Sequence, residues 1–241
     1  MPRVIKHPEI RRAEILDAAF GMFLARGYDN TSLNEIIAGA GLSKGMFYHH
    51  FASKEALLTA LFERLTEQTY QAFAPILSDK GLDAKTRLQR VLDRGAEIRM
   101  QYVELTRSIF VSLLQPESRL LYERINEAWI ERMRPVLTAL IEEGVETGVF
   151  QTEDAEGAAD LLLQMGVATK YLLDRGMAAE TLEERDAAAL ALETRLRFHA
   201  VALARILALP DNTFSIGPEG FAGKFMKALN PLDSPSTAEP R

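Results

Sequence analysis

Residues 31–58 read TSLNEIIAGAGLSKGMFYHHFASKEALL. Five of them, Gly41-Leu42-Ser43-Lys44-Gly45, satisfy G-x-S-x-G, the pattern of a hydrolase nucleophile. That pattern has a mechanism only where a strand feeds a sharp turn that exposes the serine. The surroundings here are helical instead. Ser32 and Glu35 stand three apart, as a capping box requires, and start a short helix through Ala40 that Gly41 stops. Ser43 caps a second short helix through about His50, and Ser53 caps a long one that runs to Pro75. Two short helices joined through Gly41-Leu42 form the layout of a helix-turn-helix, in which the second helix enters the DNA major groove while the first braces it. The serine motif is then coincidental.

On a wheel of 100° per residue, Phe47 and Phe51 fall together and face inward, while Gly45, Met46, Tyr48 and His49 point away. That outer face offers a glycine permitting close backbone approach and side chains that donate hydrogen bonds to phosphate or touch base edges. Tyr48-His49-His50 does not form a metal site, because adjacent helical residues do not share a face. His50 lies toward the Phe47 edge and is read as packing or making a local hydrogen bond rather than a DNA contact.

Outward from this stretch the helical periodicity continues. Ile15, Ala19 and Phe23, with Leu16, Phe20 and Leu24 beside them, make a wide apolar stripe on a helix from Pro8 to Arg26 that Gly27 ends. Further helices are expected at about 84–101, 103–114, 117–147, 153–175 and 183–208, with Pro116 in a first turn and Thr181/Glu184 as a second capping box. No stretch alternates convincingly as a strand does, so the fold class is all-α. The expected organisation is a helix-turn-helix domain over 1–52, a larger helical domain over 53–209 that opens with a connecting helix at 53–75, and a proline-bearing tail over 210–241 with one short helix at EGFAGKFMKAL.

The 241 residues contain no cysteine, which excludes disulfides, thiolate metal sites and a cysteine nucleophile. No apolar run reaches the 18 residues that suggest a membrane span, and the basic N-terminus lacks a signal peptide's apolar core. Both point to the cytoplasm. Of 28 basic and 34 acidic residues, eight and seven fall within the first 65, so the net charge of −6 divides into +1 there and −7 beyond. The basic N-terminal residues Arg3, Lys6, His7, Arg11 and Arg12 could serve as an arm toward phosphate.

The stretch from Thr31 to Leu58, preceded by ILDAAFGMFLARGYD, resembles the DNA-binding region of the tetracycline-repressor (TetR) family of bacterial transcription regulators. The resemblance implies an N-terminal three-helix DNA-binding domain, a larger helical ligand-binding and dimerisation domain, and a homodimer on a pseudo-palindromic DNA operator. It implies a small apolar or amphiphilic effector and neither cofactor nor catalytic residues. Carried over by position, Thr31 and Ser32 cap the second helix near a phosphate, and Asn34 faces a base or phosphate. Ser43, Lys44, Gly45 and Met46 open the recognition helix, Tyr48 and His49 bind phosphate, and Lys54 adds a cation to the DNA backbone. Met46 stands where many members carry Thr or Ser, and can pack on a thymine methyl but not hydrogen-bond a phosphate.

For the helical body, the same resemblance pairs the last two long helices across the dimer, with Gly166, Leu192, Leu196, His199 and Leu203 as interface residues. Phe110, Trp129, Met133 and Met165 are nominated to line the effector pocket. The expected function is a ligand-responsive repressor. The alternative is a helical protein that binds DNA without sequence preference or effector; a hydrolase using Ser43 is rejected for want of a strand.

Overall fold

The computed structural model describes residues 7–113 and 119–232, with the side chains of 109–121 set aside. In chain order the helices are α1 (Pro8–Arg26), α2 (Leu33–Gly39), α3 (Lys44–His50), α4 (Lys54–Ser78), α5 (Ala84–Gln101), α6 (Val103–Leu113), α7 (Arg119–Glu146), α8 (Ala155–Val167), α9 (Lys170–Met177), α10 (Leu182–Ile206) and α11 (Phe221–Leu229). No strand occurs among the described residues. The chain divides into two compact units, one formed by Met1–Thr69 with Ser108–Trp129, the other by Tyr70–Arg107 with Ile130–Arg241. Helices α4, α6 and α7 contribute residues to both.

Local chemistry sets the helices of the first unit. Pro8 opens α1, where its fixed φ and missing N–H cost nothing, with Glu9 in the first turn and Arg26 in the last to complement the helix dipole. Ile15, Leu16, Ala19 and Phe23 are its buried face. At α2 the capping box is complete. The Glu35 N–H donates to Ser32 Oγ at 3.3 Å, and the Glu35 carboxylate accepts from the Ser32 N–H at 2.7 Å. The Ser32 hydroxyl, which donates to the same carboxylate at 2.7 Å, and then the Ser32 N–H hold that carboxyl below the usual carboxylate range. The C-terminus of α2 closes as a Schellman turn: the Leu42 N–H reaches Ile37 O and the Gly41 N–H reaches Ala38 O, both at 3.0 Å. Gly41 takes φ +65° there, which a side chain would resist.

The second unit departs from expectation in four places. Helix α4 runs a turn past Pro75 to Ser78. A proline removes one hydrogen bond from a helix, and here the turn beyond it survives. The helix expected over 153–175 is two, α8 and α9, broken at Ala168-Thr169; the Thr169 hydroxyl donates to Gly166 O at 2.8 Å, giving the backbone a local alternative to the helical ladder.

The third departure is the expected tail, which through residue 232 is packed structure. Phe221, Ala222, Phe225, Met226 and Leu229 of α11 are buried against α5, α9 and α10 beside Leu172, Ala188 and Leu192. Asn230 Nδ2 donates to the carbonyls of Gly176 and Ala179, both at 2.9 Å, closing the end of α9. The spacing of those five apolar residues is that of an amphipathic helix, which the surrounding prolines obscure in the sequence.

The fourth concerns the nominated dimer interface. Leu192, His199 and Leu203 are buried within the chain, and Leu196 packs against the same core, so this stripe of α10 is spent on intramolecular packing. Burial lowers the pKa of the His199 imidazole, aided by nearby Arg195. Pro116, placed in a first turn by sequence, lies outside the described residues.

Because α11 completes this core, Phe225→Ala should destabilise the whole protein by about 3–5 kcal/mol in urea unfolding, the usual loss for a buried phenylalanine. A dispensable tail would lose nothing.

Candidate nucleic-acid interface

The interface is built on α3, seven residues long. Ser43 caps it by accepting the Met46 N–H at 3.3 Å, which is the role of the serine in the G-x-S-x-G match. Phe47 is fully buried and Phe51 nearly so, their ring centroids 5.8 Å apart. This anchoring turns Ser43, Lys44, Gly45, Tyr48 and His49 outward, all exposed, with Tyr48 at 54%. Met46 is half-buried at the rim. On α2, Ser32 and Asn34 are exposed as well. His50 is half-buried against Phe51, and burial is the first cause lowering its pKa, followed by His49, Arg11 and Arg12.

Two nominated contacts are turned the other way. Thr31 is 1% exposed; its hydroxyl donates to Gly27 O at 2.7 Å and its N–H to Tyr28 O at 3.2 Å, so neither group is free to meet a phosphate. Lys54 points its ammonium at Tyr28, donating to the Tyr28 carbonyl at 2.5 Å and lying 4.0 Å from the ring centroid. Desolvation lowers its pKa, against the pull of Asp29, Glu55 and Glu35. The phenol beneath is pushed up to about 12 by burial first, then by Glu55 and Asp29. Lys54 thus ties the start of α4 to the α1–α2 connection.

The other cations are occupied too. Arg11 pairs with Glu14, Arg26 with Glu35 and Arg64 with Asp17, while Arg12 lies over the Phe51 ring. Arg11 and Arg12 belong to α1 rather than to an arm, and Arg3 and Lys6 lie outside the described residues. Among the described cations through Thr69, Lys44 alone has no ion pair, hydrogen bond or ring contact, and it opens α3. A seven-residue helix held by two phenylalanines, with one uncommitted lysine and a glycine, a phenol and an imidazole facing out, suits insertion into a groove lined by phosphates.

The sequence profile of the bacterial regulatory proteins of the tetR family matches residues 15–61, and that of a tetracyclin repressor-like C-terminal domain matches 84–193. The chain is 30% identical over 166 residues to the HTH-type transcriptional repressor DhaR of Mycobacterium sp. strain GP1, covering 66% of this chain and 77% of DhaR. The chain belongs to the TetR family. It is accordingly a DNA-binding transcription regulator. It is also 28% identical over 158 residues to the repressor KstR2 of Mycobacterium tuberculosis, covering 64% of this chain and 76% of KstR2. The fold is similar to that of RolR solved with resorcinol, with a TM-score of 0.56 at 20% identity over 97% of each chain. A TetR-family regulator from Mesorhizobium loti gives 0.55 at 22% identity, over 78% of this chain and 98% of the other.

Of the four nominated pocket residues, Met133 is packed in the core of the second unit and Met165 is half-buried there on α8. Trp129 is half-buried in the first unit, and the Phe110 side chain lies outside the described set. Among the described residues no helix is long and apolar enough to cross a membrane, and no group of three potential ligands could hold a metal.

The inward turn of Lys54 is testable. Lys54→Met should lower unfolding stability by about 1–2 kcal/mol through loss of a charged hydrogen bond and a cation–π contact. A lysine acting only on DNA would leave the urea midpoint where it was.

Proposed function

We propose that this TetR-family regulator is a repressor that binds a pseudo-palindromic operator as a homodimer and is released by a small-molecule effector taken up by the second unit. The carrying observation is the exposed row Ser43, Lys44, Gly45, Tyr48 and His49 over buried Phe47 and Phe51. Ser32 and Asn34 flank it from α2. Thr31 and Lys54 are left out of the contact surface, since both are committed inside the unit. One such helix reads few base pairs, so two copies related by a twofold axis supply affinity and specificity.

The dimer surface we assign differs from the stripe nominated by sequence. Leu190 and Phe198 of α10 are 69% and 65% exposed, and Leu161 of α8, a helix packed on α10, is 52% exposed. Ala187, Leu190, Thr194, Phe198 and Val201 recur at helical spacing on the side of α10 away from Leu192 and Leu203. Large apolar side chains left open on one face of paired helices favour a second copy of the same face. Phe198→Asp should therefore halve the sedimenting mass. A mass unchanged by that charge would place the interface elsewhere.

DNA binding is tested by fluorescence anisotropy on duplex from the protein's own promoter region against scrambled duplex, across a salt series. Specific sites should be preferred by about 10³ or more. Lys44→Ala should weaken binding to every duplex and reduce the salt slope by about 1, as for loss of one phosphate contact, while leaving the urea midpoint unchanged. Equal affinity for both duplexes would favour a non-specific DNA-binding protein without effector.

A further inference from the structure

Lys44, Gly45 and Met46 open the first turn of α3, and Phe47 behind them is fully buried. Nothing lies within 4 Å of the point where a Cβ on Gly45 would stand, so the front of this turn is open. The Met46 N–H donates to the Ser43 hydroxyl at 3.3 Å, which fixes the backbone from which the thioether projects. At 100° per residue, Met46 stands about 60° round the helix from His49 and about 120° from the middle of the Phe47–Phe51 edge. It belongs to the outward side, yet it is half-buried where Lys44, Gly45, Tyr48 and His49 are exposed.

The outward side chains divide by chemistry. Lys44 carries a charge on a flexible stem, Tyr48 a hydroxyl and His49 an imidazole, and each can serve a phosphate as well as a base edge. Met46 has no donor and only a weak acceptor, so a phosphate gives it nothing. Base edges are met by the N-terminal residues of a recognition helix. In this first turn Met46 is the one side chain suited to a base and unsuited to the backbone.

The major groove displays a single kind of apolar group, the 5-methyl of thymine, among donors and acceptors. A thioether pressed on the acceptors of guanine, or on the amino group of adenine or cytosine, would displace their water and return no hydrogen bond. Against a thymine methyl it removes apolar surface from water on both sides. Half-burial sharpens this choice, because a stem already restrained by its own fold loses less conformational freedom on contact. The polarisable tip adapts to the depth at which the methyl lies.

We propose that Met46 is a specificity-determining residue that packs on the 5-methyl group of one thymine in each operator half-site. This rests on the reading of α3 as the recognition helix of a dimer on a pseudo-palindrome, and it assigns one base pair of that operator from the protein side.

The test uses the full-length protein. Duplexes that it binds are selected from a pool with a random core, and each thymine of the shared sequence is then replaced singly by deoxyuridine. That change removes the methyl and leaves the pairing edge intact. Anisotropy should show a thymine in each half-site whose replacement weakens binding about 3- to 10-fold. Met46→Ala should carry the same deficit on the thymine operator and lose nothing more with deoxyuridine, since the two changes remove the two sides of one contact. Met46→Leu, apolar and of similar volume, should keep the dependence on the methyl. At the same position, 5-methylcytosine paired with guanine should bind the unaltered protein better than cytosine does, an advantage that vanishes in Met46→Ala.

The deoxyuridine series needs no variant, so it does not depend on how Met46→Ala folds. Deoxyuridine tolerated at every thymine would overturn the proposal. So would a methyl dependence that persists undiminished in Met46→Ala, which would assign it to another side chain, or one that Met46→Leu abolishes as fully as Met46→Ala does. A selection that returns no shared sequence removes the sequence-specific reading of α3 and the proposal with it. A shared sequence indifferent to its thymine methyls removes the proposal alone.

Discussion

The burial of Phe47 and Phe51 is the constraint on which the DNA-binding surface depends. Seven residues are too few for a helix to persist alone in water, since nucleation is costly and isolated helices shorter than about 12–15 residues are marginal. Ser43 satisfies one end of α3, but the two rings locked in the core are what keep it helical and fix its rotation. With Phe47 and Phe51 four positions apart, every other position follows: Lys44, Gly45, Tyr48 and His49 have nowhere to go but outward. The capping box and Schellman turn of α2 act upstream of this, setting where α3 begins. The orientation of the outward face is thus a by-product of hydrophobic packing, and the side chains it presents are not those that hold the helix.

A net charge of −6 is compatible with a DNA partner once the cations are followed individually. Arg11, Arg12, Arg26, Lys54 and Arg64 are each drawn into a pair or onto a ring of their own unit. Exposed pairs such as Arg26 with Glu35 contribute little stability, but they cancel charge that would otherwise attract any polyanion. What remains is local: a lysine at the first position of α3 and polar donors beside it. The net charge beyond residue 65 is −7, which opposes attachment of that part of the chain to a polyanion.

Sequence was most informative where one residue type answers one backbone need. The caps Ser32, Ser43, Ser53 and Thr181, the glycine at 41 and the inward Phe47/Phe51 pair were all legible, because each satisfies an orphan hydrogen bond or a single apolar face. It was least informative where a segment has two apolar faces. Helix α10 carries Leu192-Leu196-His199-Leu203 on one side and Leu190-Phe198-Val201 on another, both at helical spacing, and periodicity cannot say which is covered by the same chain. Partners distant in sequence decided it, chiefly α11, whose apolar rhythm sits among prolines. Thr31 and Lys54 misled for a related reason: a hydroxyl or an ammonium can serve a backbone carbonyl of its own fold as well as a phosphate.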